Sequence, residues 1–200
     1  MRLVRIIGVM LWATMLMGAS GQHWTQSSDE TIWHDRYTNC DKGYAVILPT
    51  GVVAHGSLPP SPNHGILISA EAPGATTEVT LATPRLISVY DTYDAAELGS
   101  ARAYLEDHWE QSARVVETRD LTFKGLPAVY VHYRLKKEAA IIETEELVVY
   151  RAHGKNIGPI FYVIMLQTPV EHYSEDTLLY REIRDGFHVL SVPRGECSND

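Results

Sequence analysis

The sequence predicts an α+β fold: a mostly antiparallel sheet with two main helices packed on it, forming a single-domain sandwich. Three observations point that way. Residues 126 to 168 read as three consecutive strands with short connections, the mark of an antiparallel meander. Two separate stretches, one from Ser100 and one from Ser174, place apolar residues at helical spacing. The chain has 200 residues, and about 180 remain once an N-terminal segment is set aside, enough to bury one core unaided.

That segment covers residues 1–21. Arg2 and Arg5 precede an apolar run from Ile6 to Met17, followed by the small residues Gly18, Ala19 and Ser20. This is the order of a secretory signal peptide, with cleavage expected between Ala19 and Gln22. The run is short for a membrane span, so no stable membrane insertion is expected after cleavage, and the location is secreted or periplasmic. Residues 22–39 read as a polar leader or a short first helix, with Trp24 and Trp33 on the domain surface. Residues 40–200 form the single domain.

Within it, Gly43 to Pro49 and Gly65 to Ala70 are short β-rich runs. Between them GVVAHGSLPPSPNH (residues 51–64) is an ordered loop, its prolines and glycines supplying fixed and permissive φ in turn. Residues 72–84 read as a turn and a short strand, and residues 85–94 as a further strand. From Ser100, the positions Ala101, Tyr104, Leu105, Trp109 and Ala113 form a helical apolar stripe, with Glu106, Asp107 and Glu110 toward water. In residues 126–135, Val129, Val131 and Tyr133 share one face, while Tyr130, His132 and Arg134 share the other. Residues 141–153 follow, then 159–168, whose FYVIML is apolar throughout and belongs at the sheet centre. The second helix spans residues 174–186, with Glu175 and Asp176 in its first turn, Arg181 and Arg184 in its last, and Gly186 at its stop. Its buried stripe is Leu179, Ile183 and Phe187, and FHVLSV (residues 187–192) adds a final strand.

The succession GYAVILP, a helix ending near HWEQSARVV, FKGLPAVYVHY, IFYVIMLQT and SEDTLLYREIRDGF running into FHVL resembles the PsbP-like superfamily over residues 40 to 192. The Pro-rich loop departs from its simplest pattern. The resemblance implies a non-enzymatic binding or accessory role, and it carries over no residue.

Composition narrows function further. There are 17 basic against 25 acidic residues, a net charge of −8. Removing Arg2 and Arg5 leaves 15 against 25, or −10. Such a surface repels phosphate backbones, so nucleic acid is excluded as a partner. The two cysteines, Cys40 and Cys197, allow one pairing in an oxidising compartment. A bridge between them is expected to clasp the first strand to the C-terminal tail, with Cys40 serving structure.

No Gly-x-Ser-x-Gly elbow, phosphate loop, Gly-x-Gly-x-x-Gly turn or His-Glu-x-x-His helix occurs. The candidate partner or ligand loop is therefore His55, Pro59, Pro60, Pro62 and His64. Asp91, Asp94 and Glu97 read as polar residues leading into a helix. Glu143, Glu145 and Glu146 could pair as acid and base only under a cleft, and a solvated sheet face is expected for them. The functional expectation is an exported binding or accessory module for a protein or small-molecule partner, with no metal and no cofactor. The alternative is a hydrolase or metal-dependent enzyme using His55 and His64, which would have to meet in one pocket.

Overall fold

Strand β10 (Ile160–Pro169) is apolar on both faces, and the rest of the chain is arranged to cover it. The structure, a computed structural model, describes residues 32–56, 65–74, 84–92, 95–108, 113–137, 140–152 and 158–191. Before β10 come β1 (Ile32–His34), β2 (Arg36–Asn39), β3 (Tyr44–Ile47), β4 (Val53–Gly56), β5 (Gly65–Ser69) and β6 (Leu86–Thr92). Helices α1 (Ala95–Leu98) and α2 (Ala101–His108) follow, then β7 (Arg114–Phe123), β8 (Leu126–Lys137) and β9 (Ala140–Arg151). After β10 the chain ends its described course with α3 (Tyr173–Gly186) and β11 (Phe187–Val189).

Eight strands form one sheet in the order β1-β4-β5-β6-β10-β9-β8-β7, and β11-β3-β2 form a second; every pairing is antiparallel. The meander from β7 to β10 has the expected connections. Its first hairpin turns through Lys124 (φ 48) and Gly125 (φ 84), the paired left-handed residues of a two-residue turn.

The pleat sends Tyr162, Ile164 and Leu166 of β10 to one side, where Tyr180 and Ile183 of α3, Tyr44 and Val46 of β3, and Phe187 cover them. Phe161 and Val163 point to the other side and meet Ala101, Tyr104 and Leu105 of α2, together with Val129, Val131 and Val148. The architecture is thus a mostly antiparallel sandwich with its two major helices on opposite faces of the large sheet. Helix α2 starts where expected, Ser100 Oγ accepting the Ala103 amide at 3.1 Å. Ala113, expected on that helix, instead immediately precedes β7.

Two expectations are corrected. Residues 32–39, read as leader, are strands: Trp33 pairs with Ala54 and packs edge-on against Tyr37 at 4.9 Å. These short polar strands have no alternation of their own and take their conformation from β4 and β3. The second correction concerns the Cys40–Cys197 clasp. Cys197 lies outside the described residues, so no disulfide bridge joins two described cysteines; Cys40 itself is not a free thiol.

Backbone pairing joins the first strand to the C-terminal segment, with Phe187, His188 and Val189 opposite Val46, Ala45 and Tyr44. Leu190 N donates to Gly43 O at 2.8 Å, and Tyr162 OH donates to Lys42 O at 2.8 Å.

This junction is tight at Gly186, where a Cβ would stand 2.3 Å from the Ile47 carbonyl oxygen. Gly186→Ala must push α3 off β3 and is expected to cost about 2 kcal/mol in urea unfolding. Gly158→Ala, with nothing within 4 Å of its Cβ position, serves as the control and should stay within about 0.5 kcal/mol of the parent. Equal effects of the two would show that the close approach is unimportant.

Candidate functional site: the carboxylates of the ninth strand

The expectation of a solvated face for the β9 acids is overturned. Glu143, Glu145 and Glu146 are 1%, 3% and 8% exposed. Strand β9 lies between β8 and β10, with α3 over one face and α2 over the other, so neither side of it meets bulk water. Alternation sends Glu143 and Glu145 toward α3 and Glu146 toward α2.

On the α3 side each acid has its own pair of donors. Register places His132 opposite Glu145 and Arg134 opposite Glu143 on β8. Arg134 Nε donates to Glu143 Oε1 at 2.6 Å, and His132 Nε2 lies 2.6 Å from Glu143 Oε2. Glu145 Oε1 accepts from Tyr173 OH at 2.6 Å and from Thr177 Oγ1 at 2.8 Å, both in the first turns of α3. The His132 ring lies flat on Tyr173, with centroids 5.0 Å apart. Beside them Asp176 accepts from Thr168 Oγ1 at 2.5 Å and from Arg85 Nε at 3.0 Å.

Burial, then the hydrogen bond to Glu145, pushes the Tyr173 phenol well above its ordinary value, so it keeps the proton it donates. Burial, then the Glu145 charge, does the same to Tyr130. His132 with Glu143 has the form of a base and its orienting carboxylate, yet among the described residues no hydroxyl or thiol nucleophile is paired with His132. The cluster binds sheet to helix and is closed by its own donors.

The α2 side differs. Glu146 receives no hydrogen bond among the described residues, and burial raises its carboxyl from 4.5 to about 7, partly offset by His108 at the end of α2. Tyr90, whose own phenol is raised by burial, feels Tyr104, Glu146 and Tyr133.

The residues singled out in the sequence do not converge here. His55 is a strand residue, buried on β4 between β1 and β5. His64, Pro59, Pro60 and Pro62 lie outside the described residues, as do Trp24 and Asp94. Asp91 is buried on β6 opposite Tyr162, while Glu97 is exposed on α1, so those two acids are separated. Among the described residues no group of three His, Cys, Asp or Glu side chains could hold a metal. Sequence reasoning missed the buried acids although a signal was present: His132 and Arg134 alternate on one strand as Glu143 and Glu145 alternate on the next, a cross-strand charge pattern.

No family model matches this chain, and no curated protein matches it. Among solved structures it is similar to cyanobacterial PsbP (CyanoP) from Synechocystis sp. PCC 6803, with 16% identity and a TM-score of 0.48 over 79% of this chain and 92% of that one. It is also similar to LpqN, involved in cell envelope biogenesis of Mycobacterium tuberculosis, with 14% identity and a TM-score of 0.47 over 80% and 84%. A protein of unknown function from Pseudomonas aeruginosa, PA94, gives 11% identity and a TM-score of 0.39 over 80% and 81%. The resemblance to PsbP-like proteins is one of fold and assigns no residue.

Two outcomes are expected. Glu143→Ala strands the His132 and Arg134 donors and should cost about 3 to 5 kcal/mol in chemical denaturation. Arg134→Ala should cost less, because the Arg134 side chain is 44% exposed and screened by water. Equal costs would show that Glu143 is not the hub.

The raised Glu146 carboxyl holds its proton in the folded state above the pH where the unfolded chain releases it. Its contribution is therefore complete below pH 4.5 and lost as pH rises through about 7. Relative to Glu146→Gln, the parent should lose about 3 kcal/mol of stability across that window. A pH-independent difference between the two proteins would show that Glu146 is ordinary.

Proposed function

We propose that this chain is an exported binding or accessory module for a protein or small-molecule partner and not an enzyme. The observation that carries the reading is the closure of the α3-side cluster. A general base must lie within reach of a substrate proton, and Glu143 and Glu145 are buried beneath α3, each already held by two side-chain donors. The absence of a nucleophile elbow or a phosphate loop in the sequence supports the same conclusion. The hydrolase or metal-dependent alternative needs His55 beside other ligands. His55 instead sits inside the sheet on β4, and no metal-holding group occurs among the described residues.

Export rests on the order of Arg2, Arg5, the apolar run and the small residues that follow, and it places the mature chain in a secreted or periplasmic setting. The partner-contacting segment is the Pro-rich loop between β4 and β5, with His55 at its base. Prolines in such a loop lower the ordering cost of binding.

A photo-crosslinking residue at Ser61 of the exported protein is expected to give a discrete adduct in its native setting, and one at the exposed Glu182 of α3 is expected to give none. Hydrolysis of ester, peptide or glycoside substrates that disappears in E143Q and E145Q would reverse the reading, as would the absence of any Ser61 adduct.

A further inference from the structure

We infer that the α2 side of the large sheet carries a binding site for a small aliphatic ammonium, with Glu146 as its counter-charge. Pairing across three strands puts Ser88 of β6, Met165 of β10 and Glu146 of β9 abreast on that side, with Thr144 two residues from Glu146 along β9. Tyr90 lies two residues from Ser88 on the same face, and Tyr133 is opposite Thr144. Ser88, Thr144 and Glu146 are all buried. Among the described residues Ser88 Oγ and Thr144 Oγ1 have no hydrogen-bond partner, and Glu146 receives no hydrogen bond.

Buried polar groups are nearly always satisfied, because leaving one unmade forfeits its hydration. Two unsatisfied hydroxyls on one sheet face beside a carboxyl that receives no hydrogen bond, in a neighbourhood where an apolar residue would be better tolerated, call for a donor that arrives with a ligand.

The chemistry of these groups selects the ligand. Each offers lone pairs, and Glu146 adds a single negative charge, so an anion is repelled. A divalent cation needs several oxygen ligands, usually with more than one carboxylate, and no three metal-ligating side chains stand together among the described residues. An ammonium has donors only and one positive charge. It matches a lone carboxylate beside the Thr144 hydroxyl, with the Tyr90 phenol near enough to feel the Glu146 charge. The thioether of Met165, between Glu146 and Ser88, gives an aliphatic chain an apolar surface that adapts to its shape.

The groups facing Glu146 that titrate or carry charge are His108 and Tyr104 from α2, Tyr90 from β6 and Tyr133 from β8. Of these only His108 is basic, and it sits at the partly exposed end of α2.

The proposed site uses no residue of the Pro-rich loop, so its failure leaves the binding-module reading to the Ser61 crosslink. The test is NMR titration of the isotopically labelled full chain with n-butylammonium chloride, and in parallel with n-butanol and sodium butyrate. Saturable shifts at Glu146, Thr144 and Ser88 are expected with n-butylammonium alone. Affinity should be at least about tenfold higher at pH 8 than at pH 5.5, because the ligand needs Glu146 ionised. E146Q should abolish the shifts, and T144V, which replaces only the hydroxyl, should weaken binding several-fold. Equal shifts with n-butanol, binding retained in E146Q, or no saturable shift in the parent overturns the proposal. Should E146Q not fold, unchanged affinity in both T144V and S88A overturns it equally.

Discussion

A strand buried on both faces is the constraint on which this molecule depends. Tyr162, Ile164 and Leu166 of β10 cannot be covered by the same layer that covers Phe161 and Val163, because successive side chains leave a strand in opposite directions. Two covering layers are therefore obligatory. One is α3 with the small sheet of β11, β3 and β2; the other is α2. The tight seat of Gly186 against Ile47, the stacking of Tyr44 on Phe187 at 5.7 Å and the pairing of β3 with β11 all serve the first layer.

The same constraint reaches β9, which lies beside β10 and inherits its cover. Acids in that strand lose water whether or not they have partners, and desolvating a charge is costly unless donors replace the water. On the α3 side the donors come from two sources: His132 and Arg134 from the neighbouring strand, and Tyr173 and Thr177 from the helix above. This network orients α3 on the sheet, because Glu145 and Asp176 both tie helix residues to strand residues. On the α2 side Glu146 has no such donors and responds by holding its proton. Acids one residue apart on a single strand thus have different fates, decided by which layer each one faces.

That difference separates stabilising chemistry from chemistry left available to a ligand. A carboxylate with two short donor contacts is part of the scaffold, and its removal is a folding event. A buried carboxyl near neutrality beside unpartnered hydroxyls is responsive to what binds and to pH. The proposed partner loop and the proposed ammonium site are built from different residues, so the two readings stand independently.

Much of this was legible in the chain itself. The meander, the central apolar strand, the Ser100 cap and the alternation of Val129, Val131 and Tyr133 against Tyr130 and His132 follow from period, propensity and turn chemistry, which are local. Strands β1 and β2 were not legible, because short polar segments become strands only when a neighbour offers its backbone. The site was not legible for a related reason. Glu143, Glu145 and Glu146 look like surface residues in any local window, and burial is set by the layers above them. Side-chain type and spacing determined which residues share a face; only tertiary packing decided which faces are dry, because the removal of water depends on segments distant in the sequence.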